Sequence, residues 1–448
     1  MRRLIALVGL VLFGFVAASC GDNSDTTSAA DTTASEPSPS TAAAADLTAV
    51  PEPVGREPAT PEPPPTTAPT QPPAPTERAA TPTVEPTFYD APGGLHVPLP
   101  LASAAPGTVI DTEVLDVKNR LGQRILYHSR SALGENVAVS GFVVYPNADP
   151  PAGGWPLVAW AHGTTGLGDA CAPSHIAETD QLTSALVGLG FAVVATDYEG
   201  LGTPGVHPYV VGASEAHSVL DSVRAVQSLD LPLSTEWVAF GHSQGGHAAM
   251  FTGQLHATYA PELALLGVIA GAPPSQMAEL NNALIGGDFQ GYLVMTAAGL
   301  VAADNSLDLT DVLTAEAIDL LDVVESGCTQ DIFSVYNALA YDRIALVDDP
   351  FALPSWSTAI AENDTNRLPV TVPLLIIHGG ADEQIPVETS ATLLSQLCAL
   401  AGQGPTKRIV YEGQSHGGVL TTFAAAPDIL AWAEARFSQE PAPDDCER

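Results

Sequence analysis

Gly241-His242-Ser243-Gln244-Gly245 decides the reading of this chain. The residues before it, Trp237-Val-Ala-Phe240, have the apolar character of a short buried strand, and Gly246 to Leu255 that of the start of a helix. A serine at a sharp turn between strand and helix is held in a strained conformation that lifts its hydroxyl clear of the backbone. Glycines flank such a serine because a Cβ would collide with the neighbouring strand or helix, and Gly246 adds further room. In so glycine-rich a chain the bare pattern carries little weight. The strand-to-helix context is what makes Ser243 a candidate nucleophile.

A serine hydroxyl is a poor nucleophile until a base takes its proton, so the reading needs a histidine and an acid. On such a turn the partners follow in the order Ser, Asp/Glu, His. Past the helix after Ser243 only His378 and His416 remain. Val372-Pro-Leu-Leu-Ile-Ile377 is a continuous apolar run, the signature of a strand buried on both faces. It leads into His378-Gly-Gly-Ala-Asp382-Glu-Gln-Ile-Pro386, which places Asp382 beyond the carboxyl end of a strand, where open α/β sheets carry their chemistry. A second short strand, Arg408–Tyr411, leads into Glu412-Gly-Gln-Ser-His416-Gly-Gly418 at the same edge. The assignment is Ser243 as nucleophile, His416 as general base and then acid, and Asp382 as the group that orients His416. Glu383 is the rival acid. His378 is expected to be structural, too near Asp382 in sequence to turn back onto its carboxylate.

Acyl transfer also needs donors aimed at the developing oxyanion. One is the backbone N–H of Gln244, directly after the nucleophile. The other belongs to a loop after an earlier central strand; Leu157–Ala161 is such a strand and runs into His162-Gly-Thr-Thr-Gly166. The second donor is expected at Thr164, with Gly163 as the alternative. Asp197-Tyr-Glu-Gly-Leu-Gly202 also follows a central strand; Asp197 reads equally as pocket lining or as a residue that stabilises a tight turn. His242 and His247 are expected to fix the elbow and its helix.

Met1-Arg2-Arg3, an apolar run from Leu4 to Ala17 and then Ala18-Ser19-Cys20 have the layout of a secretory signal, and the run is too short for a membrane span. Cysteine after small residues resembles the lipobox of bacterial lipoproteins, which implies a signal over residues 1–19 and acylation of Cys20, with plain secretion as the alternative. Residues 20–95 are rich in Thr, Pro, Ala, Ser and Glu and read as an extended tether. The formal charge is −36, most of it beyond the tether, and the only lysines are Lys118 and Lys407. Such a surface repels nucleic acid and anionic headgroups, so a nucleic-acid partner is not expected and anchoring falls to the acyl chain. Cys171, Cys328, Cys398 and Cys446 form an even set in an exported chain, which suggests two disulfides; spacing leaves three pairings open, and none has metal-ligand spacing.

Residues 96–448 form one domain in this reading. Thr108–Val117, Arg124–Ser129 and Asn136–Tyr145 read as an antiparallel edge. Strands and helices then alternate: Leu157–Ala161, a helix near Leu182–Leu189, Phe191–Thr196, a helix near Glu215–Leu229, the elbow, and Leu266–Ala270. This argues for an α/β fold, a mainly parallel central sheet with helices on both faces. The alternation stops over about 274–368, where 276–300, 308–325 and 331–340 have helical periodicity. This apolar insertion is read as a helical cap that excludes water and lines an acyl pocket.

The ordered set Ala161–Gly166 with Cys171-Ala-Pro-Ser174, Thr196–Gly202, His207-Pro-Tyr209, Gly241–His247, Gly271-Ala-Pro273 and the Asp382 and His416 loops resembles the secretory lipases, a lipase A-like family of α/β-hydrolases with bacterial exported members. The resemblance spans about residues 105–435. It implies the α/β-hydrolase fold, the triad Ser243–Asp382–His416, an oxyanion hole near Thr164 and Gln244, and a helical cap. It also implies that Cys171 pairs with Cys328 in the cap, leaving Cys398 with Cys446. Two departures from the fungal pattern, the His-Gly-Thr-Thr loop in place of an Asp and a differently placed second disulfide, leave the substrate range open. The expected function is an exported, membrane-tethered lipase-type ester hydrolase that needs no cofactor or metal. Alternatives are a short-chain esterase, an acyl transferase or amidase on the same triad, and a non-catalytic lipid-binding surface lipoprotein.

Overall fold

The structure is a computed structural model, which describes residues 87–446 apart from 118 and 179. The expected signal segment, Cys20 and the tether up to residue 86 lie outside the described residues. The strands are β1 (Thr87–Asp90), β2 (His96–Leu99), β3 (Val109–Val114), β4 (Arg120–Arg130), β5 (Asn136–Pro146), β6 (Trp155–Ala161), β7 (Ala192–Thr196), β8 (Leu233–His242), β9 (Ala264–Gly271), β10 (Leu374–Gly379) and β11 (Thr406–Tyr411). β3 to β11 form one sheet in the order β11-β10-β9-β8-β6-β7-β5-β4-β3. The six strands from β7 to β11 run parallel, and β5, β4 and β3 complete an antiparallel edge.

Outside the cap the helices are α1 (Gln181–Gly188), α2 (Gly212–Ser228) and α3 (Gln244–Tyr259). Within the insertion come α4 (Met277–Leu284), α5 (Gly291–Ala303), α6 (Ala315–Asp319), α7 (Leu321–Ser326), α8 (Thr329–Tyr336) and α9 (Pro354–Glu362). The chain then returns through α10 (Val387–Cys398), α11 (Gly418–Thr421) and α12 (Ala426–Phe437). Side chains on a strand alternate between faces, and here both faces are buried. Leu157 and Ala159 of β6, Trp237 and Ala239 of β8, and Leu374 and Ile376 of β10 pack under α2, α3 and α10. Their neighbours Val158, Val238, Phe240, Leu375 and Ile377 pack with Leu186 of α1 and Ile429 and Trp432 of α12. Burial on both sides is why the central strands read as unbroken apolar runs.

The structure departs from three expectations. Residues 87–95 are not tether: β1 pairs antiparallel with β2, and Ala91 and Leu95 pack with Val97, Leu126 and Ala138. The single helix expected over 276–300 is two, α4 and α5, because the chain turns at Gly286, whose φ of +69° suits glycine. α9 was not anticipated; it starts with Pro354, a residue favourable at a first helical turn that interrupts a helical pattern when read along a sequence.

Leu95 is 1% exposed and lies in the small cluster that fastens β1 and β2 to the main sheet. Leu95→Ala should lower stability by about 2–4 kcal/mol, the range for a buried leucine truncation, read as a lower urea midpoint with unchanged slope. Full wild-type stability in this variant would return residues 87–95 to the tether.

Candidate active site

The elbow sits where β8 passes into α3. Ser243 has φ 60° and ψ −125°, a conformation rarely open to a non-glycine residue. The surrounding backbone leaves it no alternative. A Cβ on Gly241 would lie 1.9 Å from the Gly245 oxygen, and one on Gly245 would lie 1.9 Å from the Ala161 oxygen. On Gly246 it would meet the Gly271 oxygen at 2.4 Å. β6, β8 and β9 thus converge on the turn, and the Ser243 N–H donates to the Gly271 carbonyl at 2.9 Å.

Asp382 and His416 stand on the loops after β10 and β11, neighbouring parallel strands whose carboxyl ends share one edge. His416 Nδ1–H donates to Asp382 Oδ2 at 2.8 Å, which leaves Nε2 as the proton-accepting nitrogen. The other oxygen, Oδ1, accepts the backbone N–H groups of Gln384 (2.9 Å) and Ile385 (2.8 Å). Burial pushes the Asp382 carboxyl up, but hydrogen bonds from His378 and His416 outweigh it and hold the group well below its ordinary range. Glu383, the rival acid, accepts the backbone N–H of His416 at 3.0 Å and so fixes the loop rather than the ring.

His378 requires a correction. Its Nε2 reaches Asp382 Oδ2 at 3.2 Å and the Ile385 carbonyl at 3.0 Å. The loop from Gly379 to Ile385 curls back over the end of β10, so four residues suffice for contact. His378 remains a buried donor to the carboxylate, while His416 lies against His242, the residue before Ser243. The His242 ring packs against that of His416 at 4.7 Å between centroids, and burial, reinforced by His416, pushes His242 down to about 3. His242 is therefore neutral.

The loop after β6 comes close to the nucleophile: a Cβ on Gly163 would lie 3.6 Å from Ser243 Cβ. Thr164 Oγ1 shares a 2.9 Å hydrogen bond with the Tyr209 hydroxyl. The loop is also bound to the cap. Gly166 bridges Cys328, the Thr165 carbonyl accepts the Thr329 N–H at 3.0 Å, and Cys171 is disulfide-bonded to Cys328. The second disulfide joins Cys398 to Cys446. Asp197 does not line the cleft. It is fully buried, and its carboxylate accepts Ser140 Oγ (2.7 Å) and the N–H (2.8 Å) and hydroxyl of Ser174. Of the two readings given to it, the structure supports stabilisation of its turn.

Ser243 opens into a narrow cleft with about 40 Å³ of free space. Met277, Leu280 and Leu284 of α4, at helical spacing, form one wall, and Tyr292 and Thr296 of α5 another. The insertion therefore covers Ser243 with an apolar roof.

The family profile described as secretory lipase matches residues 173–445, a span that includes Ser243, Asp382 and His416. The chain belongs to the secretory lipase family. Lipase 10 of Candida albicans is 25% identical over 410 residues, covering 82% of this chain and 84% of that protein. The secreted triacylglycerol lipase LIP7 of Malassezia globosa is 23% identical, covering 79% of each. Among solved structures, Candida antarctica lipase A superposes with a TM-score of 0.67 at 20% identity, covering 77% of this chain and 84% of that one. The rice cell wall degrading esterase LipA of Xanthomonas oryzae gives 0.64 at 20%, covering 75% of this chain and all of its own. The fold is that of an α/β-hydrolase, and the chain is an exported carboxylic ester hydrolase.

Beneath the elbow this secretory lipase carries a buried polar network that sequence reasoning missed. Gln244 Nε2–H donates to Glu215 Oε1 on α2 (2.9 Å) and to His207 Nε2 (2.7 Å). His207 donates from Nδ1 to the Glu199 carbonyl at 2.8 Å, and burial pushes it down to about 4, so it is neutral and can accept from Gln244. Glu215 Oε2 accepts from His247 Nδ1 at 2.7 Å, and His247 Nε2 donates to the Asn363 carbonyl at the end of the cap, also at 2.7 Å. With both nitrogens donating, His247 is an imidazolium. Burial opposes that charge, but Glu215, the Asn363 carbonyl and Asp364 together raise its pKa above the ordinary 6.5.

A histidine raised in the folded state contributes stability that is complete below pH 6.5 and is lost as pH rises through the raised value. The melting temperature should therefore fall on the alkaline side of 6.5. Glu215→Gln should flatten that fall and lower the melting temperature at pH 6, since breaking a buried pair costs about 3–5 kcal/mol. An unchanged pH profile in Glu215→Gln would mean that His247 carries no charge.

Proposed function

We propose that this lipase hydrolyses water-insoluble acyl esters, triacylglycerols among them, through an acyl-enzyme on Ser243. His416 Nε2 takes the Ser243 proton as Oγ attacks the ester carbonyl, then delivers it to the leaving alkoxide. A water activated by His416 releases the acyl group. Backbone N–H groups of Gln244 and Thr164, with Gly163 as the alternative to Thr164, receive the oxyanion. Asp382 stays ionised throughout, as its depressed pKa requires, and stabilises the imidazolium. The observation that carries this reading is Ser243 in a cleft roofed by the apolar face of α4, with the Asp382–His416 pair on the same sheet edge. The names of the Malassezia relatives support triacylglycerol as substrate.

Residues 1–19 act as a lipoprotein signal in this proposal, Cys20 is acylated, and the Pro/Thr/Ala-rich stretch up to residue 86 tethers the hydrolase to the membrane. Cys20→Ala should move the enzyme from the membrane fraction to the medium; retention of the variant at the membrane would remove the acyl anchor.

The free space in the cleft at Ser243, about 40 Å³, is far smaller than a pocket that encloses a long acyl chain, which favours a short-chain esterase as the second reading. Hydrolysis of p-nitrophenyl esters from acetate to palmitate, with triacylglycerol alongside, separates the two. A lipase should retain activity on the long chains and triacylglycerol; activity confined to acetate and butyrate identifies the esterase. Ser243→Ala should be inactive on all, and Asp382→Asn should lose ~10⁴-fold in kcat, as when a triad carboxylate is neutralised. Full activity in Ser243→Ala would remove the nucleophile assignment.

A further inference from the structure

His207-Pro208-Tyr209 has no part in the mechanism above, yet its two ends reach the two places where the oxyanion donors stand. At one end, His207 Nε2 accepts the Gln244 side-chain amide at 2.7 Å. At the other, the Tyr209 hydroxyl is bonded to Thr164 Oγ1 at 2.9 Å. The segment between them is short and closed on itself, since the Tyr209 N–H donates to the His207 carbonyl at 2.8 Å. One hydrogen-bonded path thus runs from Gln244 to Thr164 without passing through Ser243.

The path is held at each point. His207 stacks on Tyr198, with centroids 5.7 Å apart and planes at 12°, and the Tyr198 hydroxyl donates to the His162 carbonyl at 3.0 Å, at the root of the Thr164 loop. Tyr198 (φ 68°) and Val210 (φ 51°), one on either side of the segment in sequence, occupy left-handed backbone conformations that such side chains adopt only when packing imposes them. Gln244 is fixed from a second side by Glu215, itself fixed by His247. Its carboxamide cannot rotate without breaking two buried hydrogen bonds, so the peptide that carries its N–H is restrained as well. Two backbone donors on different loops have no covalent reason to keep a constant separation. A rigid strut between them supplies one, and oxyanion stabilisation depends on donors already in place before charge develops.

We propose that His207-Pro208-Tyr209 is a spacer that sets the distance between the Gln244 and Thr164 backbone donors, with Tyr209, His207 and the Gln244 side chain as positioning residues. The inference rests on the acyl-enzyme reading of Ser243. Tyr209→Phe removes one oxygen and keeps the ring that lines the cleft; Gln244→Met keeps side-chain length and removes the amide. Each should lower kcat on a p-nitrophenyl ester roughly 10- to 100-fold, less than or equal to the loss of a whole oxyanion donor, with KM within threefold. The inhibition constant of an alkyl boronic acid, whose serine adduct is tetrahedral, should rise by the same factor as kcat falls. The double variant should lose less than the product of the single losses, because either change already releases the strut.

Single variants with kcat within twofold of wild type, while Ser243→Ala is inactive, would overturn the spacer and leave the triad standing. A raised KM at unchanged kcat would also overturn it, making Tyr209 a wall of the substrate cleft. Activity in Ser243→Ala would instead remove the mechanism on which it rests. Should Gln244→Met not fold, Tyr209→Phe decides alone by the same criteria.

Discussion

The backbone at Ser243 is the constraint on which the rest depends. A residue at φ 60°, ψ −125° costs on the order of 1–3 kcal/mol and persists only where its surroundings over-determine it. Here they do: three backbone segments approach within a distance that excludes any Cβ at Gly241, Gly245 or Gly246. Those segments are the ends of β6, β8 and β9, so the strain is sustained by the centre of the sheet itself. Sheet order then places everything else. β6 lies between β7 and β8, so the connections from β6 to β7 and from β7 to β8 leave on opposite sides and open a crevice at the carboxyl edge. β10 and β11 run parallel to β8 and deliver Asp382 and His416 to that edge. The antiparallel β3–β5 edge contributes no residue to the triad.

Much of this was legible in the sequence because burial imposes a pattern. The central strands are apolar at consecutive positions since both sheet faces are covered, and β6, β7, β9 and β10 could be placed to within two residues at either end and β8 to within four. Order along the chain also picked out Asp382 and His416, which the structure pairs, since only two histidines follow α3. What was not legible came from tertiary proximity or from composition that misleads. β1 follows a Pro/Thr-rich stretch and is only four residues long, too short to show alternation. The turn at Gly286 breaks a helical pattern whose apolar period continues on both sides. The contact of His378 with Asp382 depends on how the Gly379–Ile385 loop curls, which separation along the chain does not reveal. Glu215, His207 and Tyr209 belong to elements that read as an ordinary helix and a turn, and their function arises only when α2 packs against α3.

The histidines around the elbow show how burial sorts one residue type into different states. His207 and His242 are buried without a carboxylate bonded to the ring, and both are driven neutral. His247 is as deeply buried but has Glu215 on one nitrogen and a carbonyl on the other, so it carries the charge. His416 has the Asp382 carboxylate on Nδ1, which fixes the ring and leaves Nε2 without that partner. Neutral His242 against His416 matters in this light. The His242 ring lies 4.7 Å from that of His416, and desolvation keeps a second positive charge from standing there.

The same accounting bears on the oxyanion. A chain with a formal charge of −36 would seem a poor host for a further negative charge. Exposed carboxylates beyond a Debye length of roughly 8 Å are screened, however, and the two carboxylates bonded to the site's histidines are already engaged by donors. Asp382 accepts from two histidines and two backbone N–H groups, and Glu215 from His247 and Gln244. Ser243 also stands at the N-cap of α3, the helix end that carries about half a positive charge. That partial charge is opposite in sign to the net charge of the molecule. It comes from the α3 backbone, and the Gln244 side chain in the first turn is held by Glu215, itself paired with the His247 imidazolium, so a highly acidic surface does not preclude the oxyanion site proposed above.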